Sequence, residues 1–318
     1  MTGAESLIRT LIASDVEMCF ANPGTTEIQF VVALDKVESM RCVLVLAETV
    51  VTGCADGYAR MAEKPAMTMF HCGPGFANGI ANVHNARKAN APMVNIVGDQ
   101  ASYHRPFDQP LTADTEGLAR AASHWVRTSG SGQQVAFDGA EAVQAARTPP
   151  GQIATLIVPA DVAWSEANSP AMPRAVSPRP QVAPEVLRTV ARILRSDEPA
   201  LLYLNGQALN EAGLVAAHRI AHATGAKLDV VNVVFANRVY KILYGELRTG
   251  GATPGRASDT FFDLGHPDLD WVGLAKGMGV EAVSVETLEE FADTFRAACS
   301  RRGPFLIEFR IQKWSGEF

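Results

Sequence analysis

The strongest constraint on the fold of this chain is an alternation. Apolar runs of five or six residues, Val16–Phe20, Cys42–Leu46, Ala66–Phe70, Met93–Val97 and Ile153–Val158, read as strands. Stretches of helical periodicity, Gly3–Ser14, Thr26–Val37, Thr49–Met61, Phe76–Asn90 and Asp114–His124, fall between them. Strands that are short, apolar and separated by whole helices suit a parallel sheet covered on both faces, because a parallel crossover needs a helix-length connection. The pattern resumes as Leu201–Leu204, Val230–Phe235 and Phe305–Ile311. Between the two blocks stand Pro170, Pro173, Pro178, Pro180 and Pro184, which predict an extended linker over 166–183. Residues 1–165 are therefore expected to form one α/β domain.

Charge and composition exclude several classes of function. The 318 residues carry a net charge of −6 without a block of like charges, so no nucleic acid or anionic membrane partner is expected. No apolar stretch approaches the ~18–20 residues of a membrane-spanning helix. Glu5, Arg9, Asp15 and Glu17 interrupt any signal-peptide core at the N-terminus, and the five cysteines are scattered without a CxxC pair. A cytoplasmic protein with reduced thiols is the expectation. His218 and His222 share a helix face at i and i+4 but lack a third metal ligand, and no GxGxxG follows a strand.

In open parallel sheets ligands collect at the carboxyl ends of the strands. There the sequence places Asn22-Pro23-Gly24-Thr25, Glu48, His71-Cys72-Gly73-Pro74-Gly75 and Gly98-Asp99-Gln100. Each has two readings. Glu48 either complements the positive end of a helix dipole or is a dry carboxyl with a raised pKa, able to share a proton. Gly73-Pro74-Gly75 either makes an ordinary turn or opens a helix whose free N–H groups face a ligand. His71 is either structural or a proton shuttle. Asn237 either forms a turn or offers an oxygen to a hard cation such as magnesium.

The order NPGTTE, LAETVVTGCADGYAR, HCGPGFANGIANVHNA and FANRVY resembles the thiamine-diphosphate-dependent enzymes, in the branch that includes acetolactate synthase and benzoylformate decarboxylase. The resemblance runs over 1–165 and again over 229–318. It implies an α/β fold of parallel sheets: a complete pyrimidine-binding domain at 1–165, a middle-domain remnant at 184–228, and the C-terminal half of a diphosphate-binding domain at 229–318. It implies that Glu48 hydrogen-bonds the cofactor's pyrimidine ring and that His71 transfers protons. Asn22, Pro23, Gly24, Thr25, Gly73, Pro74, Gly75, Asn78 and Tyr240 are implied to line the cofactor site, and Asn237 with the carbonyl of Val239 to hold Mg²⁺. The implied reaction is decarboxylation or carboligation of a 2-oxo acid by a homo-oligomer, a dimer or a dimer of dimers. The family's Gly-Asp-Gly or Gly-Asp-Ser cation motif does not precede Asn237, which predicts an internal deletion near Leu228-Asp229. A non-catalytic remnant that pairs with a full-length relative is the alternative.

Overall fold

The computed structural model describes residues 1–37, 39–196, 204, 206–224, 231–249, 251, 253–265 and 267–311. The chain divides into two units, Met1–Val182 and Ala183–Phe318. The expected strand Leu201–Leu204, apart from its last residue, and the proposed junction at Leu228-Asp229 lie outside the described residues.

In the first unit the apolar runs become β1 (Met18–Ala21), β2 (Arg41–Leu44), β3 (Ala66–His71), β4 (Met93–Asp99), β5 (Trp125–Thr128) and β6 (Ile153–Pro159). They form one parallel sheet in the order β2-β1-β3-β4-β6-β5. Between them run α1 (Gly3–Ala13), α2 (Ile28–Lys36), α3 (Glu48–Ala62), α4 (Cys72–Lys88), α5 (Thr115–Ala122), α6 (Val135–Arg147) and the short α7 (Ala160–Trp164). Side chains alternate across a pleated strand, so each central strand supplies two cores. Met67 and Met69 of β3 and Val94 and Ile96 of β4 pack with Leu7, Ile8 and Leu11 of α1 and Phe30 of α2. Phe70, Met93 and Val97 pack on the opposite face with Val51 and Ala55 of α3 and Phe76 and Val83 of α4.

The same second face carries a polar ladder across three strands. Thr68 Oγ1 donates to Asn95 Oδ1 at 2.6 Å, Asn95 Nδ2 donates to Thr155 Oγ1 at 3.0 Å, and the Ser123 hydroxyl lies 2.7 Å from Thr155 Oγ1. Each member is partnered, so the buried polar groups do not carry the cost of lost hydration uncompensated.

Within the first unit β5, α6 and the short α7 lay outside the sequence-based expectation. β5 is half-buried along its length and carries Arg127, so it shows no apolar run. α6 is rich in alanine, with Ala136, Gly139, Ala140, Ala142, Val143 and Ala146 buried. β2 is also more exposed than an apolar core strand, because it lies at the sheet edge. The proline-rich segment differs from a free linker over its first half. Ser6 Oγ donates to Ser169 O, Ala171 N donates to Thr10 Oγ1, and Arg174 reaches Glu141, all within the first unit.

The second unit contains α8 (Pro184–Leu194), α9 (Glu211–Thr224), β7 (Val231–Ala236), α10 (Lys241–Thr249), α11 (Arg256–Phe262), α12 (Trp271–Gly277), β8 (Glu281–Val285), α13 (Leu288–Cys299) and β9 (Phe305–Arg310). Its described strands form a parallel sheet in the order β7-β9-β8. Val285, Phe305, Ile307, Phe309 and Ala298 make a small core.

Candidate active site

The carboxyl ends of β1, β3 and β4 and the N-terminus of α3 bring the chemistry of the first unit together. Glu48 is the first residue of α3, where Ala47 provides no side-chain cap. The Glu48 carboxylate is instead held by two amides: Asn22 Nδ2 donates to Oε1 at 3.2 Å, and Asn78 Nδ2 donates to Oε2 at 3.3 Å. Both bonds are at the long end of the normal range, leaving lone pairs on each oxygen. The side chain is half-buried rather than dry. α3 is fixed against α4 by Thr52 Oγ1 on Gly79 O at 3.0 Å and by Asn82 Nδ2 on Thr49 O at 2.8 Å.

His71 closes β3 and is followed at once by α4, which starts at Cys72 and runs through Gly73-Pro74-Gly75. Cys72 takes the left-handed conformation, φ 55°, at this strand-to-helix corner. Gly75 sits beside both Glu48 and His71: a methyl group there would lie 3.5 Å from His71 Cβ and 3.6 Å from Glu48 Oε1. At Gly24 a methyl group would collide with the His71 ring, so glycine alone allows the Asn22-Pro23-Gly24 turn this close to the imidazole. Gly73 faces elsewhere, against Ala113 and Thr115, and holds α4 to the loop before α5. Thr25 and Pro74 are exposed, and no hydrogen bond ties either to Glu48 or His71 among the described residues.

The dry carboxyl of the site is Glu27, a residue absent from the sequence-based candidates. Its side chain is fully buried. Gly24 N donates to Oε2 at 2.7 Å, the Thr26 hydroxyl makes a very short contact with Oε1, and Oε2 lies 3.2 Å from His71 Nδ1. Burial pushes the Glu27 carboxyl up to about 7, against the pull of the hydrogen bonds from Thr26 and Gly24. Burial also holds the His71 pKa below that of a free histidine, opposed by the negative charge of Glu48. A side chain at Gly98 would collide with Glu27, so the glycine at the end of β4 makes the carboxyl's space. Asp99 follows, nearly buried, with Arg105 Nη1 on its Oδ2 at 2.6 Å. Its neighbours in sequence, turn formers before a helix, give Glu27 the look of an exposed cap, and that concealed it.

In the second unit Asn237 follows β7, and its Oδ1 accepts from Val239 N at 3.3 Å, a local turn. Val239 bridges to Asp263, and Tyr240 is half-exposed. A hard cation such as Mg²⁺ takes about six oxygen ligands. No group of three or more acidic, histidine or cysteine side chains able to hold a metal occurs among the described residues. The amide of Asn237 and one backbone carbonyl fall short of a cation site among the described residues, whereas Asn22, Gly24, Glu48, His71 and Gly75 converge at one place in the first unit.

The first 123 residues match the family model described as the N-terminal TPP binding domain of thiamine pyrophosphate enzymes, and residues 213–309 match the C-terminal TPP binding domain of the same family. The chain belongs to the thiamine pyrophosphate enzyme family. The C-terminal match begins within α9, a helix expected from the sequence to be a middle-domain remnant. The chain is 49% identical over 227 residues to the Mycobacterium tuberculosis protein IlvX, named provisionally as an acetolactate synthase large subunit, covering 71% of this chain and 44% of that protein. It is 30% identical over 190 residues to benzoylformate decarboxylase of Pseudomonas aeruginosa, covering 58% of this chain and 35% of that enzyme. It thus spans less than half the length of these curated relatives. The fold matches that of the thiamine diphosphate-dependent 4-hydroxybenzoylformate decarboxylase of Rhodococcus jostii RHA1, with a TM-score of 0.61 and 15% identity over 99% of this chain and 100% of that one.

Proposed function

We propose that this thiamine pyrophosphate enzyme family member uses its first unit to hold the pyrimidine ring of thiamine diphosphate and takes part in decarboxylation or carboligation of a 2-oxo acid. The observation that carries the reading is the Glu48 carboxylate, positioned by two amides at the start of α3 and set beside His71 across Gly75. When bound, the cofactor supplies the nucleophilic carbon and the electron sink that such chemistry needs. Glu48 offers the ring a carboxylate acceptor. Its Oε1 and Oε2 are fixed in place yet not saturated, so a ring N–H can donate to one of them. Covering the half-buried carboxylate by the ring would remove its remaining water and strengthen that shared hydrogen bond. His71 exchanges protons with the reacting carbonyl or its product, and its depressed pKa keeps it neutral and able to do so near neutrality.

The test is release of carbon dioxide from pyruvate and from benzoylformate in the presence of thiamine diphosphate and Mg²⁺. Turnover of either that falls at least tenfold in Glu48→Gln supports the reading. Turnover that is unchanged in Glu48→Gln overturns the role of Glu48. A second reading, a non-catalytic chain that pairs with a full-length relative, is favoured by the meagre ligand set at Asn237. Cofactor binding without turnover, with turnover restored by a full-length relative, would select it. We propose a homo-oligomer in the cytoplasm as the setting of the catalytic reading.

A further inference from the structure

We propose that Glu27, Thr26 and His71 form a proton relay in which the protonation state of Glu27 decides whether His71 Nε2 offers the pocket a proton donor or a proton acceptor. The inference rests on the reading of His71 as the proton-transferring group. Glu27 does not face the reacting atoms and acts through His71, so it is a positioning residue.

The geometry leaves few arrangements. Thr26 Oγ1 is in contact with Glu27 Oε1 and lies 2.8 Å from His71 Nδ1, while Glu27 Oε2 lies 3.2 Å from the same nitrogen. Oε2 already accepts from Gly24 N, so a proton on Glu27 belongs on Oε1. A neutral imidazole has one N–H, and a hydroxyl has one proton to give. With Glu27 protonated, its O–H donates to Thr26 Oγ1, the Thr26 O–H donates to Nδ1, and the histidine proton sits on Nε2. With Glu27 ionised, the Thr26 hydroxyl turns to donate to Oε1, and Nδ1–H points at Thr26 Oγ1 and Glu27 Oε2. The Nε2 lone pair is then free. Nε2 has no partner among the described residues, and the His71 side chain is 21% exposed, so Nε2 is the nitrogen left for a ligand.

Passage through the relay balances. As the proton on Nε2 leaves to an acceptor in the pocket, the Thr26 hydroxyl proton moves to Nδ1 and the Glu27 proton moves to Thr26 Oγ1. One bond to hydrogen breaks for each that forms, and Glu27 ends ionised. The reverse sequence takes a proton from the pocket back to Glu27.

The surroundings make Glu27 the titrating member. From β4, Asp99 adds negative charge that favours the protonated acid, and Arg105 offsets part of it at 2.6 Å. From α4, the Cys72 thiol is 3.7 Å from Thr26 Oγ1 and 4.0 Å from Nδ1, and burial pushes its pKa up to about 11, so it stays neutral. From α3, Glu48 favours a charged His71, but burial outweighs it. The Glu27 pKa of about 7 puts the change near neutrality.

The test reads which ring nitrogen of His71 carries the proton, by ¹⁵N NMR of histidine-labelled full-length protein without cofactor, from about pH 6 to about pH 9. A His71→Asn sample assigns the signal. The relay predicts a neutral imidazole that passes from Nε2–H to Nδ1–H with a midpoint near 7. It also predicts loss of that change in Glu27→Gln, which cannot ionise, and a shifted midpoint in Thr26→Val, which keeps the direct Glu27 Oε2–His71 Nδ1 contact but removes the hydroxyl that passes the proton. A tautomer that stays the same across the range in the unaltered protein overturns the relay, even if a variant fails to fold. So does an unaltered transition in Thr26→Val. Because neither cofactor nor substrate is present, this result is separate from the turnover assay. A normal tautomer change with no 2-oxo acid chemistry removes the functional reading alone.

Discussion

Glu27 makes the stability of this protein depend on pH in an unusual direction for a carboxyl group. Its pKa is raised in the folded state, to about 7, so between the unfolded value and 7 the folded protein binds more protons than the unfolded one. Its favourable contribution is complete below the unfolded pKa and is lost as pH rises through about 7. A Glu27→Gln protein, which cannot ionise there, should therefore gain stability relative to the unaltered protein by roughly 2 kcal/mol between pH 5 and pH 8, measured by urea unfolding at each pH. An equal difference at both pH values would contradict the assignment. At the same scale, Gly24→Ala should displace the His71 ring, because the added methyl has no other space. The expected effect is at least a tenfold loss of turnover with the melting temperature lowered by only a few degrees. Single residues were only partly legible in the sequence. Glu48, His71, Asn22, Gly24, Gly75 and Asn78 stand in a recognisable order and meet in space. Glu27 was hidden because burial of a turn-adjacent carboxyl depends on Gly98, which lies on another strand 71 residues later.

Elements were legible where periodicity and burial agree. β3, β4 and β6 are buried along nearly their whole length and show as apolar runs. β5 does not, since its four half-buried residues include Arg127, whose guanidinium pairs with Asp138 and Glu141 of α6. Both partners of that contact were needed to see either element. Glycines sort the helices in a similar way. A methyl at Gly57 of α3 meets nothing within 4 Å. The tight approach of α3 and α4 is at Gly79 instead, where a methyl would lie 3.0 Å from the Phe70 ring and from Thr52 Cγ2. Replacing a helix-interior glycine by alanine gains roughly 0.8–1 kcal/mol of helix propensity, whereas overpacking costs about 1–3 kcal/mol. Gly79→Ala should thus destabilise by about 1 kcal/mol, and Gly57→Ala should stabilise the free chain by roughly 0.5–1 kcal/mol. Chemical denaturation of the two variants checks the pair, and the reverse order would mean that the glycine contacts are misplaced.

At the scale of the whole molecule the two units are unequal. The first has two large cores, one on each face of its sheet, built wholly from its own residues. Residues 1–182 alone should melt in a single cooperative transition within a few degrees of the higher transition of the full chain, read by circular dichroism. Non-cooperative melting would contradict this. The second unit has a small core, and the apolar side chains Val186, Leu187, Val190 and Ile193 of α8 and Phe235 of β7 are largely exposed. Among the described strands β7 is at a sheet edge, and a partly apolar edge favours association with another chain. The full chain should show concentration-dependent mass by light scattering, and residues 1–182 should show less of it. The division into two units was legible because the prolines stand between two blocks of alternating strands and helices. Ligand chemistry at the second unit was not, because Asn237 closes a turn onto Val239 N and a turn-forming asparagine looks the same as a ligand in sequence.

The central claim is that Glu48 marks a working site for the cofactor's pyrimidine ring, and a calorimetric titration of the full chain with thiamine diphosphate and Mg²⁺ tests it most directly. A hydrogen bond to a charged group is worth about 1.5–3 kcal/mol, or roughly a tenfold to hundredfold change in affinity. Saturable heat is expected with the unaltered protein, and affinity at least tenfold weaker with Glu48→Gln. No heat at millimolar cofactor, or equal affinity for both proteins, would contradict it.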